Sequence, residues 1–341
     1  MIESEEVAWD ADGIPVRGTL TRPAGEGPHP GVVLVAGSGP TDRDWCSPLI
    51  PGTTCSGRLL ADALAREGFM TLRYDKRPSG PHIAENAARL AGRISMQGHL
   101  DELAGAVETL LADGAMDAPR LYALTNSEGA IHALNYQLAA QSPGGWRFAG
   151  LVLTGVPGRS IGQVARSQIL AQVRDLPNGE TLMRHYDAAI AAFDAGEPIH
   201  VDPVLPEGMR MMLGGLAAPV NLPFARELWS ANPAALLARV KEPVLVVIGK
   251  KDIQVDWQVD GGALESAVGG AGNVEFAYPA DADHVLKHED RPRDDLDGPS
   301  AVASYNSEGR VLDPGALTVI TSWLGDHARR DVPVDTSGRG A

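Results

Sequence analysis

Leu121-Tyr122-Ala123-Leu124-Thr125-Asn126-Ser127-Glu128-Gly129-Ala130 runs a strand-like apolar segment straight into a helix-like one, with a serine at the junction. Such a strand-to-helix turn is sharp and strained, and it presents the serine oxygen at the C-terminal edge of a sheet. The two backbones approach closely there, so small residues are required; Gly129, two positions after the serine, is one. The helix N-terminus behind Ser127 offers unpaired N–H groups and the positive end of a dipole to a developing oxyanion. Taken alone, the segment also reads as a serine N-cap, because Thr125 stands where a G-x-S-x-G pattern has its first glycine.

The chain on both sides of this junction alternates strand and helix patterns. Upstream, Glu5–Trp9 and Pro15–Thr21 suit an antiparallel pair around the turn 10–13, and Val32–Ala36 suits a strand buried on both faces. A helix over Gly57–Glu67, a strand over Phe69–Tyr74 and a helix over Gln97–Ala112 follow, then the strand Arg120–Leu124 and the helix Glu128–Ala140. Downstream come strands at Ala149–Thr154, Pro243–Ile248 and Val274–Ala277, with helices at Gly262–Val268 and Pro314–His327. Strands alternating with helices imply a mainly parallel sheet covered on both faces. The interruption from 157 to 235 has helical stretches at Ile161–Val173, Leu182–Phe193 and Pro206–Leu213 and no comparable strand, and it is expected to be an inserted cap. The expected organisation is a core of residues 1–156 and 236–330, a helical cap over 157–235, and a frayed tail over 331–341.

Two strand ends carry the residue types a serine nucleophile needs. Gly249-Lys250-Lys251-Asp252-Ile253-Gln254-Val255 places an acid just after a late strand, and Tyr278-Pro279-Ala280-Asp281-Ala282-Asp283-His284 places a histidine after the last one. An imidazole takes the serine proton near neutral pH, and a carboxylate fixes its tautomer and stabilises the imidazolium. The chain order Ser127, Asp252, His284 is that of the α/β hydrolases. Asp256, four residues further on, is the second candidate acid. The loop Gly37-Ser38-Gly39-Pro40-Thr41-Asp42-Arg43-Asp44 follows the strand Val32–Ala36, and its glycines allow the backbone close to a substrate. The amides of Ser38 and Glu128 are the expected oxyanion donors. A dinucleotide loop is the rival for Gly37-Ser38-Gly39, but Asp42 stands where the third glycine belongs and no helix pattern starts there.

These motifs together resemble the α/β-hydrolase superfamily, in the branch of bacterial serine esterases marked by a G-S-G-P-x-D-R-D loop. The further matches are Arg73-Tyr74-Asp75-Lys76-Arg77 to R-Y-D-K-R-G, with Pro78 for glycine, and Thr125-Asn126-Ser127-Glu128-Gly129-Ala130 to G-H-S-E-G-G. Gly249–Val255 matches G-x-x-D-x-Q-V, and His284-Val285-Leu286-Lys287 matches N-H-V-L-K with Asp283 for Asn. The resemblance covers residues 5–157 and 236–328. It implies the α/β-hydrolase fold and cleavage of a carboxylic ester, or a lactone, through an acyl-enzyme. Acyl transfer and amide or C–C bond hydrolysis use the same three groups, and a ligand-binding protein on this fold is the non-catalytic rival.

Other residues are weighed against bland roles. Arg43 is expected to brace its loop on Glu128 or Asp44, or else to meet a substrate carboxylate. Met212 and Trp229 of the insertion are candidate walls of a substrate pocket, with core filling as the alternative for the cluster Met209, Met211 and Met212. Asp75 and Arg77 are read as a structural loop network and His99 as an exposed or capping residue. Asp281 and Asp283 either raise the His284 pKa or are solvated.

Composition narrows the partners. Of 341 residues, 44% are hydrophobic and 21% charged, which excludes general disorder. A net charge of −15 opposes binding to nucleic acid or anionic lipid. No apolar run approaches the ~20 residues that span a bilayer. The start, Met1-Ile2-Glu3-Ser4-Glu5-Glu6, has no secretory pattern, so a cytoplasmic setting is expected. Cys46 and Cys55 are accordingly expected as free thiols, with a local disulfide as the alternative. No metal or organic cofactor is implied; the expected partner is a small ester with an apolar part, and a homodimer is left open.

Overall fold

The computed structural model describes residues 2–140 and 145–329, so the expected tail over 331–341 lies outside the described residues. Among them, eight strands form one sheet in the order β1-β2-β4-β3-β5-β6-β7-β8. β1 (Glu3–Ala11) and β2 (Ile14–Arg22) form an antiparallel hairpin. The turn between them puts Asp12 and Gly13 at φ 55° and 74°, in the left-handed region. β2 pairs antiparallel with β4 (Met70–Tyr74), which pairs parallel with β3 (His29–Val35). From there β5 (Met116–Asn126), β6 (Gly150–Thr154), β7 (Val244–Val247) and β8 (Val274–Ala277) are all parallel.

The continuous apolar runs of the central strands follow from burial on two faces. Val33, Val35, Leu72, Leu153 and Val246 pack on one side with α3 (Met96–Leu111), α4 (Gly129–Ala139), α9 (Pro233–Leu237) and α10 (Val259–Val268). Their neighbours Val32, Leu34, Val152, Leu245 and Val247 pack on the other with α1 (Ser56–Arg66) and α12 (Pro314–Arg329). Successive side chains of a strand point to opposite faces, so each run feeds two cores. Among the described residues, four helices carried too weak a pattern to be expected: α2 (Ile83–Leu90), α8 (Phe224–Ser230), α9 and α11 (Gly298–Ala303).

Between β6 and β7 the chain forms α5 (Ile161–Val173), α6 (Gly179–Asp194), α7 (Glu207–Ala217) and α8 (Phe224–Ser230) before α9. The first three of these gather a third apolar cluster that includes Val173, Leu182, Tyr186, Met209 and Leu213. The methionines divide by helical period. Met209 is buried in that cluster, Met212 lies one turn further on the same side, and Met211 is 66% exposed. The expected boundary at 235 cuts α9, which packs with the sheet's own helices.

One expectation is overturned. Cys46 and Cys55 are joined by a disulfide, with Cα atoms 5.3 Å apart, so neither is a free thiol. Both lie on the loop between β3 and α1, where Trp45 at φ 67° turns the chain and brings them together. No helix among the described residues is long and apolar enough to cross a membrane.

Candidate active site

The turn between β5 and α4 holds Ser127 at φ 52°, a left-handed conformation that a side-chain-bearing residue adopts only under constraint. The Ser127 N–H donates to the Thr154 carbonyl at 2.8 Å, which pins the turn to the end of β6. Gly129 is required by closeness: a Cβ there would stand 2.7 Å from the Ala36 carbonyl oxygen and still nearer that of Val35. Asn126 donates from Nδ2 to the His284 carbonyl at 3.0 Å. It ties the serine turn to the histidine loop.

His284 Nδ1 lies 2.8 Å from Asp252 Oδ2, and both residues are buried. Asp252 Oδ1 accepts from the amides of Gln254 at 2.8 Å and Val255 at 2.9 Å, so the carboxylate is held at both oxygens. With its Nδ1–H donated to Asp252, His284 keeps Nε2 as the basic nitrogen. Burial pushes the His284 pKa down, but the charge and hydrogen bond of Asp252, with a contribution from Asp283, outweigh it and leave the pKa raised. Asp283 is itself buried and accepts from Arg310 at 2.9 Å, whereas Asp281 is half-buried with Lys251 at 3.9 Å. Gly155 makes room for the imidazole: a Cβ there would stand 3.1 Å from His284 Cε1. Asp256 is engaged elsewhere, by Arg293 at 2.8 Å and by the first amides of α10.

Ser127 and His284 line one cavity of about 200 Å³, together with Ser38, Trp45, Gln254 and Tyr305. The Gly37 carbonyl accepts from Lys76 Nζ at 2.6 Å and from Thr41 Oγ1 at 3.1 Å, which anchors the loop bearing Ser38. Glu128 has its carboxylate 3.3 Å from Lys76 and 3.0 Å from His132 Nε2. Burial works to raise the Glu128 pKa; Lys76 and His132 reverse that and hold it well below the usual carboxylate range. Burial also depresses His132 to about 4, with the charges of His99 and Lys76 adding to it and Glu128 opposing.

A second cavity, of about 480 Å³, meets the first at Gly39. Its polar floor is Lys76, His99 and Glu128, and Met212, Phe224 and Trp229 belong to its walls. The structure thus brings the expected Met212 and Trp229 to a cavity that shares Gly39 and Glu128 with the surroundings of Ser127.

Two expectations are corrected here. Arg43 braces neither on Glu128 nor on Asp44: its guanidinium is committed to Asp75 at 2.7 Å, Glu6 at 2.5 Å and Thr19 at 3.0 Å. It lines neither of the cavities described above but a third one, with Asp44, Arg73 and Asp75. His99 is neither exposed nor a cap. It is 3% exposed, with Nδ1 3.0 Å from Glu102 and its ring 4.6 Å from His132 and 4.5 Å from Phe224. Arg77 completes this cluster at 2.7 Å from Glu102, which is held at about 2 against the upward push of burial by His99 and Arg77.

Lys76, His132 and Tyr305 escaped the sequence reading. The spacings His99/Glu102 and Glu128/His132, three and four residues apart on helices, were the available signal for the histidines. Lys76 stood within the Arg73–Arg77 motif match, just past the end of the strand beside β3, and no role was assigned to it there. Nothing local marks Tyr305, which follows α11.

Among the described residues no group of three or more His, Cys, Asp or Glu side chains is placed to hold a metal ion. No family model matches the chain. It is 25% identical over 320 residues to esterase EstD of Thermotoga maritima, covering 94% of this chain and 67% of that protein. Its fold matches an esterase structure from Rhizomucor miehei with a TM-score of 0.55 at 15% identity, over 96% of this chain and 85% of that one. It also matches the proline iminopeptidase of Mycobacterium smegmatis with a TM-score of 0.53 at 15% identity, over 95% and 98% of the two chains. The chain has the α/β-hydrolase fold.

Proposed function

We propose that the protein is a serine-dependent carboxylic ester hydrolase. The observation that carries this is the buried Asp252–His284 pair, 2.8 Å apart, whose histidine lines the same cavity as Ser127 in its left-handed turn. The likeness to an esterase along 94% of the chain supports the same reaction. Ser127 Oγ attacks the ester carbonyl as His284 Nε2 takes its proton. The amides of Ser38 and Glu128 receive the oxyanion, and the imidazolium, stabilised by Asp252, returns the proton to the leaving alcohol. Water then hydrolyses the acyl-enzyme by the same steps. The helices α5–α8 act as a cap, and the 480 Å³ cavity beneath them takes an apolar part of the substrate. Lactones, as cyclic esters, fall within the same chemistry, and the resemblance of the loop 37–44 to the G-S-G-P-x-D-R-D signature supports assignment to that esterase branch.

The test is Ser127→Ala assayed on a series of p-nitrophenyl esters and simple lactones, with fluorophosphonate labelling in parallel. The variant is expected to lose labelling and roughly 10⁴–10⁶-fold in kcat at unchanged thermal stability. Turnover that survives the substitution overturns the proposal.

A further inference from the structure

Lys76 is a buried cation that the hydrolytic steps do not use. It is 4% exposed and stands at the end of β4, beside β3, whose own end leads into Gly37 and Ser38. Its ammonium makes two contacts of different kinds: 2.6 Å to the Gly37 carbonyl oxygen and 3.3 Å to the Glu128 carboxylate. We infer that Lys76 is a positioning residue for the oxyanion hole, joining the peptide that carries the Ser38 amide to the residue that carries the Glu128 amide. The inference rests on the ester-hydrolase reading above.

Three physical points support it. First, the Gly37 carbonyl and the Ser38 N–H belong to one planar peptide, so a cation fixing the oxygen also fixes the direction of the N–H. Second, a charged donor on the carbonyl draws electron density from the amide and strengthens its N–H as a donor, as in any polarised hydrogen-bond chain. Third, the junction is largely buried, which strengthens its charged contacts. Lys76 and Glu128 are 4% and 5% exposed. Each end has a second hold as well. Thr41 also donates to the Gly37 oxygen, at 3.1 Å, and His132 lies 3.0 Å from the Glu128 carboxylate. The two loops that supply the amides come from β3 and β5, and Lys76 is the side chain that spans them.

A positioning role of this kind acts on the tetrahedral state more than on the bound ester, and that separates it from a general structural role. The experiment compares Lys76→Met with the unaltered protein on the best p-nitrophenyl ester. It also uses two inhibitors of matched shape: a trifluoromethyl ketone, which forms an anionic hemiketal on the serine, and the corresponding ether, which forms none. The expected result is a fall in kcat on the order of 10²-fold with KM within about threefold, the loss typical of a missing oxyanion contact. The trifluoromethyl ketone should weaken by a similar factor while the ether binds as before. Unchanged kcat, or equal weakening of both inhibitors, overturns the inference. If Lys76→Met does not fold, Glu128→Gln decides. It keeps the Gly37 contact and a neutral acceptor, and about a tenfold loss in kcat at steady KM is expected, whereas unchanged kcat counts against the role. Ser127→Ala is measured alongside. Turnover in that variant overturns the ester-hydrolase reading and this inference with it, whereas an inactive Ser127→Ala beside a fully active Lys76→Met overturns the inference alone.

Discussion

Asp252 carries two separable effects on His284, and they can be told apart by pH. The carboxylate holds the Nδ1 proton and raises the imidazole pKa above its ordinary 6.5 against the downward push of burial. The base must be neutral to accept the serine proton, so kcat/KM is expected to fall as pH drops through the His284 pKa, with a midpoint above 6.5. Asp252→Asn removes the charge and leaves the burial. The midpoint should then move to lower pH, and kcat on the plateau should fall by up to ~10⁴-fold because the imidazole is no longer held in its working tautomer. A pH–rate profile of the variant with its midpoint unmoved would remove Asp252 from the pair and return attention to Asp256.

At the scale of elements, the serine turn depends on how closely α4 approaches β3. Gly129 lies against the carbonyls of Val35 and Ala36, with no space for a Cβ. Gly129→Ala is therefore expected to cost about 1–3 kcal/mol of stability, as overpacking does, and to disturb Ser127 in the same step. Urea denaturation gives the first quantity and the rate of fluorophosphonate labelling the second; a variant as stable and as reactive as the unaltered protein would contradict the packing argument. The glycine was legible from the sequence because its position relative to a serine is fixed within one turn. His99 was misread and its neighbour His132 was not singled out. His99 sits on α3, His132 on α4 and Phe224 on α8, and only the packing of these three helices turns a helix-start histidine into a buried ring stack.

Across the whole molecule, the two cavities meeting at Gly39 set the expected selectivity. The smaller holds Ser127 and His284 beside polar residues such as Gln254 and Asn306; the larger has apolar walls from α7 and α8 over a polar floor. Trp229 contributes to that wall and lies against α5, where a Cβ on Gly162 would stand 2.7 Å from its ring. Trp229→Ala or Met212→Ala should change the ratio of kcat/KM between long- and short-chain esters by about tenfold while leaving the reaction itself intact. Equal effects on all chain lengths would place the apolar part of the substrate elsewhere.

The sequence by itself determined the layered α/β architecture and the chain order of Ser127, Asp252 and His284. Those signals are local: an apolar run of strand length, a helical repeat, or a polar residue just past a strand end. It also isolated the segment between β6 and β7 as helical, since no strand-like run occurs there. Tertiary structure alone decided who meets whom. Arg43 found Asp75 and Glu6 rather than Glu128 or Asp44, because β1 and β4 bring those carboxylates to its loop. Asn126 found the backbone of His284, 158 residues away, and Lys76 found Glu128, 52 residues away. The disulfide belongs to the same class: nine residues of separation allow the bond, and the path of the loop around Trp45 makes it. Period and propensity are properties of neighbours along the chain, whereas a buried ion pair depends on strand order in the sheet, which no single stretch of sequence encodes.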